Sequence, residues 1–450
     1  MDTLNRLQHG HLQGAQRLDL ACDLSSFPRE IFDLADTLEV LNLSGNRLQD
    51  LPDDLPRLHR MKVLFCGDNQ FARIPDSVGR CPQLSMVSFK GNQLTSIEGR
   101  ALPPALRWLI LTDNLLQELP DEIGHCKRLQ KLMLAGNQLR ALPASMQQCQ
   151  RLELVRLSAN RLTELPAWLL ALPQLAWLAY GGNPLSAEDE AHALAMAGVR
   201  RIDWSELDLT ARLGEGASGH IHQAAWRHEG LLEDIALKLF KGDMTSDGLP
   251  LNEMAAWVHA GAHPHLMPVH GVLQGHPDGR LGLVMPRIAD DCQSVAAPPS
   301  LASCTRDVYP DDLLLDLEMV LRLSTAIARA VAHLHARGVL HGDLYAHNIL
   351  WNQRGHCLLG DFGAASFLPT ARPDVAQALT ALEVRAFGHL FEELLARCRL
   401  PAHPPGMLAR LHTLQARCVR PDPASRPGMA EIAEALASLS DDVGIALAPD

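Results

Sequence analysis

Seven asparagines, Asn46, Asn69, Asn92, Asn114, Asn137, Asn160 and Asn183, recur every 22 or 23 residues, each inside a frame of the form LxxLxLxxNxLxxLP. A period this short constrains the fold severely, because one unit cannot bury its own leucines and the copies must stack. Each unit reads as a short strand, a bend and an outer segment. In Val40 to Ser44, Leu41 and Leu43 point inward, Asn46 turns the chain and satisfies backbone groups in the bend, and Leu51-Pro52 starts the outer segment. The asparagines are therefore structural rather than catalytic. Cys81, Cys126 and Cys149 each stand three residues before a repeat leucine, which marks a small buried repeat position.

This is the pattern of a leucine-rich-repeat array, an α/β solenoid with a degenerate first turn around Leu18 to Pro28. Strand positions flanking the inward leucines face the concave surface. They include Val63, Phe65, Met86, Trp108, Ile110, Met133, Leu154 and Trp177, with Lys131 and Arg156 beside them. Apolar, aromatic and Met positions on successive strands suit a protein interface, so Phe65, Met86, Trp108, Ile110, Met133 and Trp177 are the expected partner-binding residues. The alternative is that they pack on one another or on the rest of the chain. The stretch from Leu185 to Asp203 reads as a helical cap, and no Gly/Ser-rich linker follows it.

After the repeats the chemistry changes. GEGASG, IALK, HGDLYAHNIL and GDFG follow in fixed order. Leu209 to Leu213 and Ile221 to Ala225 read as strands joined by a turn containing Gly214, Gly216 and Gly219, where backbone N–H groups can close over phosphates with no Cβ in the way. Lys238 follows on a third strand, Ile235 to Phe240, within reach of α- and β-phosphates. Glu253 opens a helix fifteen residues later and is placed to hold Lys238 extended. Asp343 and Asn348 lie five apart on one loop, and Asp361 lies thirteen beyond Asn348. The set spells phosphoryl transfer from ATP.

From Trp204 to Leu439 the sequence resembles the eukaryotic-type protein kinases, and the whole chain resembles a bacterial leucine-rich-repeat protein kinase. The resemblance implies an α+β bilobal protein-kinase-like domain, with ATP and Mg²⁺ as cofactors. It implies that Asp343 orients the acceptor hydroxyl and takes its proton, that Asn348 and Asp361 hold Mg²⁺, and that His341 and Phe362 are packing residues. Lys238 and Asn348 join Asp343 as expected catalytic residues. The expected nucleotide site comprises Gly214, Glu215, Gly216, Ser218, Gly219, Ile221, Ala236, Lys238, Glu253, the hinge residues Met285 and Ile288, and Asp361. The expected domains are 1–203, 204–440 and a tail, 441–450.

Four departures matter. Gly342 stands where Ser/Thr kinases carry arginine, so a phosphate on the activation segment has no guanidinium to read it. Tyr345 replaces the lysine two after the catalytic aspartate, and His347, where tyrosine kinases place arginine, substitutes only partly. Otherwise His220, His222 and His347 read as loop or surface histidines. LEVRAFGHLFEELL reads as the helix anchoring the carboxyl lobe, with Glu383, only 22 residues after Asp361, at a usual aspartate position and no Ala-Pro-Glu before it. Arg426 is thereby left without its family partner. An irregular insertion, Cys292 to Asp312, follows the hinge.

Net charge is −12 and no basic cluster occurs, which argues against nucleic acid as partner. No apolar run is long enough to span a bilayer and the polar start is unlike a secretory signal, so a cytoplasmic protein is expected, with a secreted effector acting in a host cell as the alternative. Ten cysteines without CxxC pairs argue against a zinc site and a dense disulfide framework. Arginine outnumbers lysine heavily, a bias of GC-rich bacterial genomes. Three functional readings stand: a Ser/Thr protein kinase whose repeats choose the target, an ATP-binding pseudokinase or scaffold, and a small-molecule phosphotransferase, whose HGD loop HGDLYAHN is similar to.

Overall fold

The computed structural model describes residues 3–196, 198, 200–216, 218–242, 244–245, 247–399 and 406–445; residues 446–450 of the expected tail lie outside them. The chain divides into two compact units, Met1–Gln174 with Asn183–Leu185, and Leu175–Gly182 with Ser186–Asp450.

In the first unit a short helix, α1 (Thr3–Gln8), precedes seven three-residue strands. These are β1 (Arg17–Asp19), β2 (Val40–Asn42), β3 (Val63–Phe65), β4 (Met86–Ser88), β5 (Trp108–Ile110), β6 (Lys131–Met133) and β7 (Leu154–Arg156). They pair in parallel in sequence order, with register Val63↔Met86, Met86↔Trp108, Trp108↔Lys131 and Lys131↔Leu154. The middle residue of each strand and the residue two positions on form the core: Leu41, Leu43, Leu64, Cys66, Phe89, Leu109, Leu111, Leu132 and Leu134 are fully buried. At about 1.5–3 kcal/mol per buried leucine, this ladder is what holds successive repeats together.

The asparagines close each bend by hydrogen bonding. Asn114 Nδ2 donates to Phe89 O at 2.9 Å and Leu111 O at 3.0 Å, and its Oδ1 accepts from Leu94 N at 3.0 Å, so one amide ties three backbone groups of adjacent repeats. The outer segments are single turns, among them α2 (Asp76–Gly79) and α3 (Ala167–Leu170), and Pro75, Pro120, Pro143 and Pro166 precede them. Proline fits there because its fixed φ suits a helix start and its missing N–H is not needed. Cys81, Cys126 and Cys149 are buried. Burial pushes their thiols up to about 12, 11 and 11, which leaves them unreactive.

The expected apolar interface is corrected in part. Met86 and Met133 are buried, whereas Phe65, Trp108 and Ile110 are half-buried. Neighbouring strands in a sheet lie only about 4.8 Å apart, so large side chains in register cover one another. Lys131 Nζ, for example, lies 4.2 Å above the Trp108 ring.

The second unit begins with β8 (Trp177–Ala179) and α4 (Ala187–Met196). A six-stranded sheet follows, in order β10-β11-β12-β14-β13-β9. Its strands are β9 (Arg201–Asp203), β10 (Leu207–Glu215), β11 (Gly219–His228), β12 (Leu231–Phe240), β13 (Gly271–Gln274) and β14 (Gly282–Pro286). The stretch read as a helical cap ends in strand β9, which pairs in parallel with β13 at the sheet edge. Ile202, Trp226, Ile235, Leu237 and Val284 form this lobe's core.

Helix α5 (Pro250–Ala260) comes between β12 and β13. Beyond the hinge, β15 (Gln293–Ser294) opens the insertion, and α6 (Leu317–Ala336), β16 (Val339–Leu340), β17 (Ile349–Trp351), β18 (Cys357–Leu359), β19 (Ser366–Phe367), α7 (Pro373–Leu395), α8 (Met407–Cys418) and α9 (Met429–Asp441) complete the lobe. Helix α6 shows why this lobe forms: Asp316 caps its start by accepting from Met319 N at 2.7 Å, and one face from Val320 to Leu334 is buried.

Candidate active site

Strands β10 and β11 place Gly214 opposite Ile221 and Glu215 opposite His220, with Gly216 N bonded to Gly219 O at 2.9 Å. A Cβ on Gly219 would sit 2.6 Å from Leu239 O, so only glycine lets β11 pass β12 here. Lys241 braces the turn: Nζ donates to Gly216 O at 2.9 Å and lies 2.5 Å from Glu215, whose carboxyl is held below its usual range by that hydrogen bond.

Lys238 is buried on β12 and paired with Glu253 from the first turn of α5. Asp361 Oδ1 lies 3.9 Å from Lys238 Nζ. Burial opposes charge on the lysine, but the two carboxylates hold it as an ammonium above its ordinary value. Asp361 has φ of +54°, a conformation that non-glycine residues rarely adopt, and Gly363 N donates to its Oδ1 at 3.2 Å. Phe362 is fully buried between Trp257 of α5 and His341, with ring centroids 5.1 Å away in each case.

On the loop after β16, Asn348 Nδ2 donates to Asp343 Oδ2 and to Asp343 O, both at 2.9 Å. His341 is buried, with Nε2 2.9 Å from Gly360 O, and this ties the loop to the residue before Asp361. Glu383 of α7 anchors the backbone: its Oε1 accepts from Gly342 N at 2.7 Å, and its Oε2 accepts from His341 N at 3.2 Å and lies 2.8 Å from His335 Nε2. Burial pushes this carboxyl up, yet the His335 hydrogen bond and the positive field of the two histidines bring it below its ordinary value.

One cleft of about 750 Å³ is lined by Gly214, Glu215, Gly216, Ser218, Gly219, Ile221, Ala236, Lys238, Met285, Ile288, Asn348 and Asp361. Glu253 stands behind Lys238 rather than on the wall, and Asp343 is reached through Asn348. Leu213, Trp257, Met267 and Leu350 complete the apolar walls, and Ser294, Ala296 and Pro298 of the insertion form one edge. None of these carries a motif, and only hydrophobic type at strand ends could have pointed to them. Asp361 and Asn348 offer hard oxygen donors on one wall, and a Mg²⁺ ion shared with phosphates needs no more than one or two such protein groups.

His347 is not a surface histidine. Asp307 of the insertion, buried, accepts from His347 N at 3.1 Å and lies 2.7 Å from Nδ1. Arg426, expected without a partner, donates to Arg420 O and Ala381 O, each at 2.8 Å, so backbone carbonyls replace the missing glutamate. Helix α7 starts at Pro373, well before the expected LEVRAFGHLFEELL, and leaves nine residues, 364–372, between the GDFG segment and the helix.

Trp177 requires a further correction. It is 2% exposed, its Nε1 donates to Leu344 O at 3.1 Å, and its ring stacks on Tyr345 with centroids 4.5 Å apart and planes 6° from parallel. A side chain enclosed in this way cannot serve as an exposed partner anchor. The residue pattern fixed which side of the strand Trp177 occupies but not what lies against that side.

Residues 207–385 match the family model for protein tyrosine and serine/threonine kinases, and residues 37–58 and 104–162 match leucine-rich-repeat models. The serine/threonine-protein kinase PITSLRE of Drosophila melanogaster is 27% identical over 170 residues, covering 37% of this chain and 16% of that protein. Serine/threonine-protein kinase PknF of Mycobacterium tuberculosis is 30% identical over 167 residues, 36% of this chain and 32% of the relative. PknI of Mycobacterium bovis, also a serine/threonine-protein kinase, is 28% identical over 283 residues, 56% of this chain and 44% of the relative. The chain thus spans less than half the length of each. A leucine-rich-repeat protein of Leptospira interrogans is 33% identical with a TM-score of 0.38, covering 41% of this chain and 48% of that one. The chain joins leucine-rich repeats to a domain of the protein-kinase fold.

Proposed function

We propose that the chain is an ATP- and Mg²⁺-dependent protein kinase acting on Ser/Thr hydroxyls, with its repeats choosing the target. The observation that carries this reading is the assembled set of Lys238 with Glu253, Asp361 beside Lys238, and Asn348 bonded to Asp343. Phosphoryl transfer asks the protein mainly for positioning and charge, and kinases need both the lysine–glutamate pair and the aspartate of GDFG in place.

In this reading Lys238 binds the α- and β-phosphates, and the glycine turn closes over them through backbone N–H groups. Asn348 and Asp361 would hold Mg²⁺, which supplies positive charge against the phosphate oxygens. Asp343 orients the acceptor hydroxyl and takes its proton as the hydroxyl oxygen bonds to Pγ and the bond from Pγ to the ADP oxygen breaks.

Repeat-based target choice draws support from Phe65, Trp108 and Ile110, which keep part of their apolar surface exposed. The arginine-rich composition and the mycobacterial relatives support a bacterial origin. We take the site of action to be the cytoplasm, where ATP is available; among the described residues no helix is long and apolar enough to cross a membrane.

The test is to incubate the full chain with γ-labelled ATP, Mg²⁺ and cell lysate and to identify the labelled species. Phosphoserine or phosphothreonine in protein, lost in Asp343→Asn, is expected. A labelled small molecule would favour a phosphotransferase of the HGD type, and no label above background would favour a scaffold.

A further inference from the structure

The segment Leu175–Gly182 belongs to the kinase unit although it carries the last strand of the repeat pattern. It touches the catalytic loop on both sides of Asp343. On one side, Gly342 has φ of +74°, and a Cβ there would meet Leu178 O at 3.0 Å and collide with Ala364 O. On the other, Leu344 O takes the Trp177 indole N–H and Tyr345 lies flat on the Trp177 ring. The same segment grips the chain after GDFG: Tyr180 N and Gly181 N donate to Ser366 Oγ at 3.0 and 3.2 Å, and Tyr180 Oη donates to Phe367 O at 2.7 Å. Strand β19 in turn pairs with β16, the two residues leading into His341.

These contacts occupy the positions left by the two lost family residues. Gly342, at the arginine position, has no side chain to reach an activation-segment phosphate, and the space a side chain would need is filled by two carbonyl groups. Tyr345, at the lysine position, is turned into packing. Ser366, the first hydroxyl after GDFG, is 1% exposed and already accepts two backbone N–H groups, so it is closed to modification in this state.

We infer that Leu175–Gly182 is a built-in positioning element that holds the catalytic loop and the post-GDFG segment in their working arrangement without phosphorylation, and that Trp177 is its principal positioning residue. The inference rests on the kinase reading for its catalytic consequence. The geometric part stands independently. Asp343 must sit within hydrogen-bond reach of an acceptor hydroxyl, and a displacement of about 1 Å at such a group costs on the order of 10²-fold in rate.

The test uses the full chain as wild type, Trp177→Phe and Trp177→Ala. The Phe variant keeps a stacking ring while removing the N–H donor and part of the indole's area, so it keeps the question decidable if the Ala variant fails to fold. Transfer from γ-labelled ATP to dephosphorylated casein and lysate protein is measured with ATP affinity by calorimetry, together with amide hydrogen exchange. Expected in Trp177→Phe are unchanged ATP affinity, a kcat lowered about 10-fold with little change in the KM for ATP, and faster exchange confined to 341–348 and 364–368. Wild-type kcat and wild-type exchange there would overturn the inference, as would exchange raised equally across α6 and α7, which would make the ring ordinary core. A wild type that transfers nothing would sink the kinase reading, and the exchange pattern would then decide the positioning role alone.

Discussion

Gly342 is the residue at which this chain departs most sharply from the kinases it resembles, and the reason is steric before it is regulatory. With φ of +74° and carbonyl oxygens on two sides, any side chain there is strained and crowded. Restoring the family residue by Gly342→Arg is therefore expected to cost about 3 kcal/mol or more of stability, read by denaturant unfolding, and not to confer phosphate control; a variant as stable as wild type would mean that the loop has another conformation available. The same loop carries a pH dependence through Glu383. Its folded carboxyl titrates below the unfolded value, so its contribution is fully present above the ordinary glutamate range near about 4.3 and is lost as pH falls through the folded value. Glu383→Gln is expected to flatten the acid limb of the stability curve. An unchanged limb in that variant would remove Glu383 as its source.

Among elements, the repeat strands were the most legible, because a 22- or 23-residue period and the asparagine bend each encode one local geometry. Asn114→Ala should destabilise the array by about 2–4 kcal/mol, since it strips three backbone groups of their partner in a buried bend; a loss under about 0.5 kcal/mol in thermal unfolding would show water taking over. Strands β10 to β12, α5 and the Lys238–Glu253 pair also follow from local signals read in order. Other features do not. Strand β9 joins a distant sheet edge, Asp307 reaches His347 across 40 residues, and Trp177 packs on Tyr345, and each depends on a neighbour that no periodicity names. Helix α7 begins early at Pro373 because Pro fits the first turn of a helix, a signal present in the sequence but outweighed by the expectation of a longer activation segment.

For the whole molecule the division of labour is a testable claim: the repeats supply binding and the kinase domain supplies chemistry. Truncating Trp108 to Ala should weaken capture of a repeat-bound target by about 2 kcal/mol while leaving ATP affinity and transfer to an unbound acceptor such as casein unchanged; a fall in casein phosphorylation instead would assign the ring to the catalytic body. ATP binding should need Lys238 and Asp361, so ATP-driven thermal stabilisation should shrink in Lys238→Met and Asp361→Asn. The central claim is that this arrangement transfers phosphate, and the most direct measurement compares initial transfer rates of wild type and Asp343→Asn at saturating ATP and Mg²⁺, with ATP affinity measured on both. The account predicts equal affinity and a rate lower by about 10²- to 10⁴-fold in the variant, the usual contribution of a positioned base. Equal rates in the two proteins, at background or above it, would contradict it.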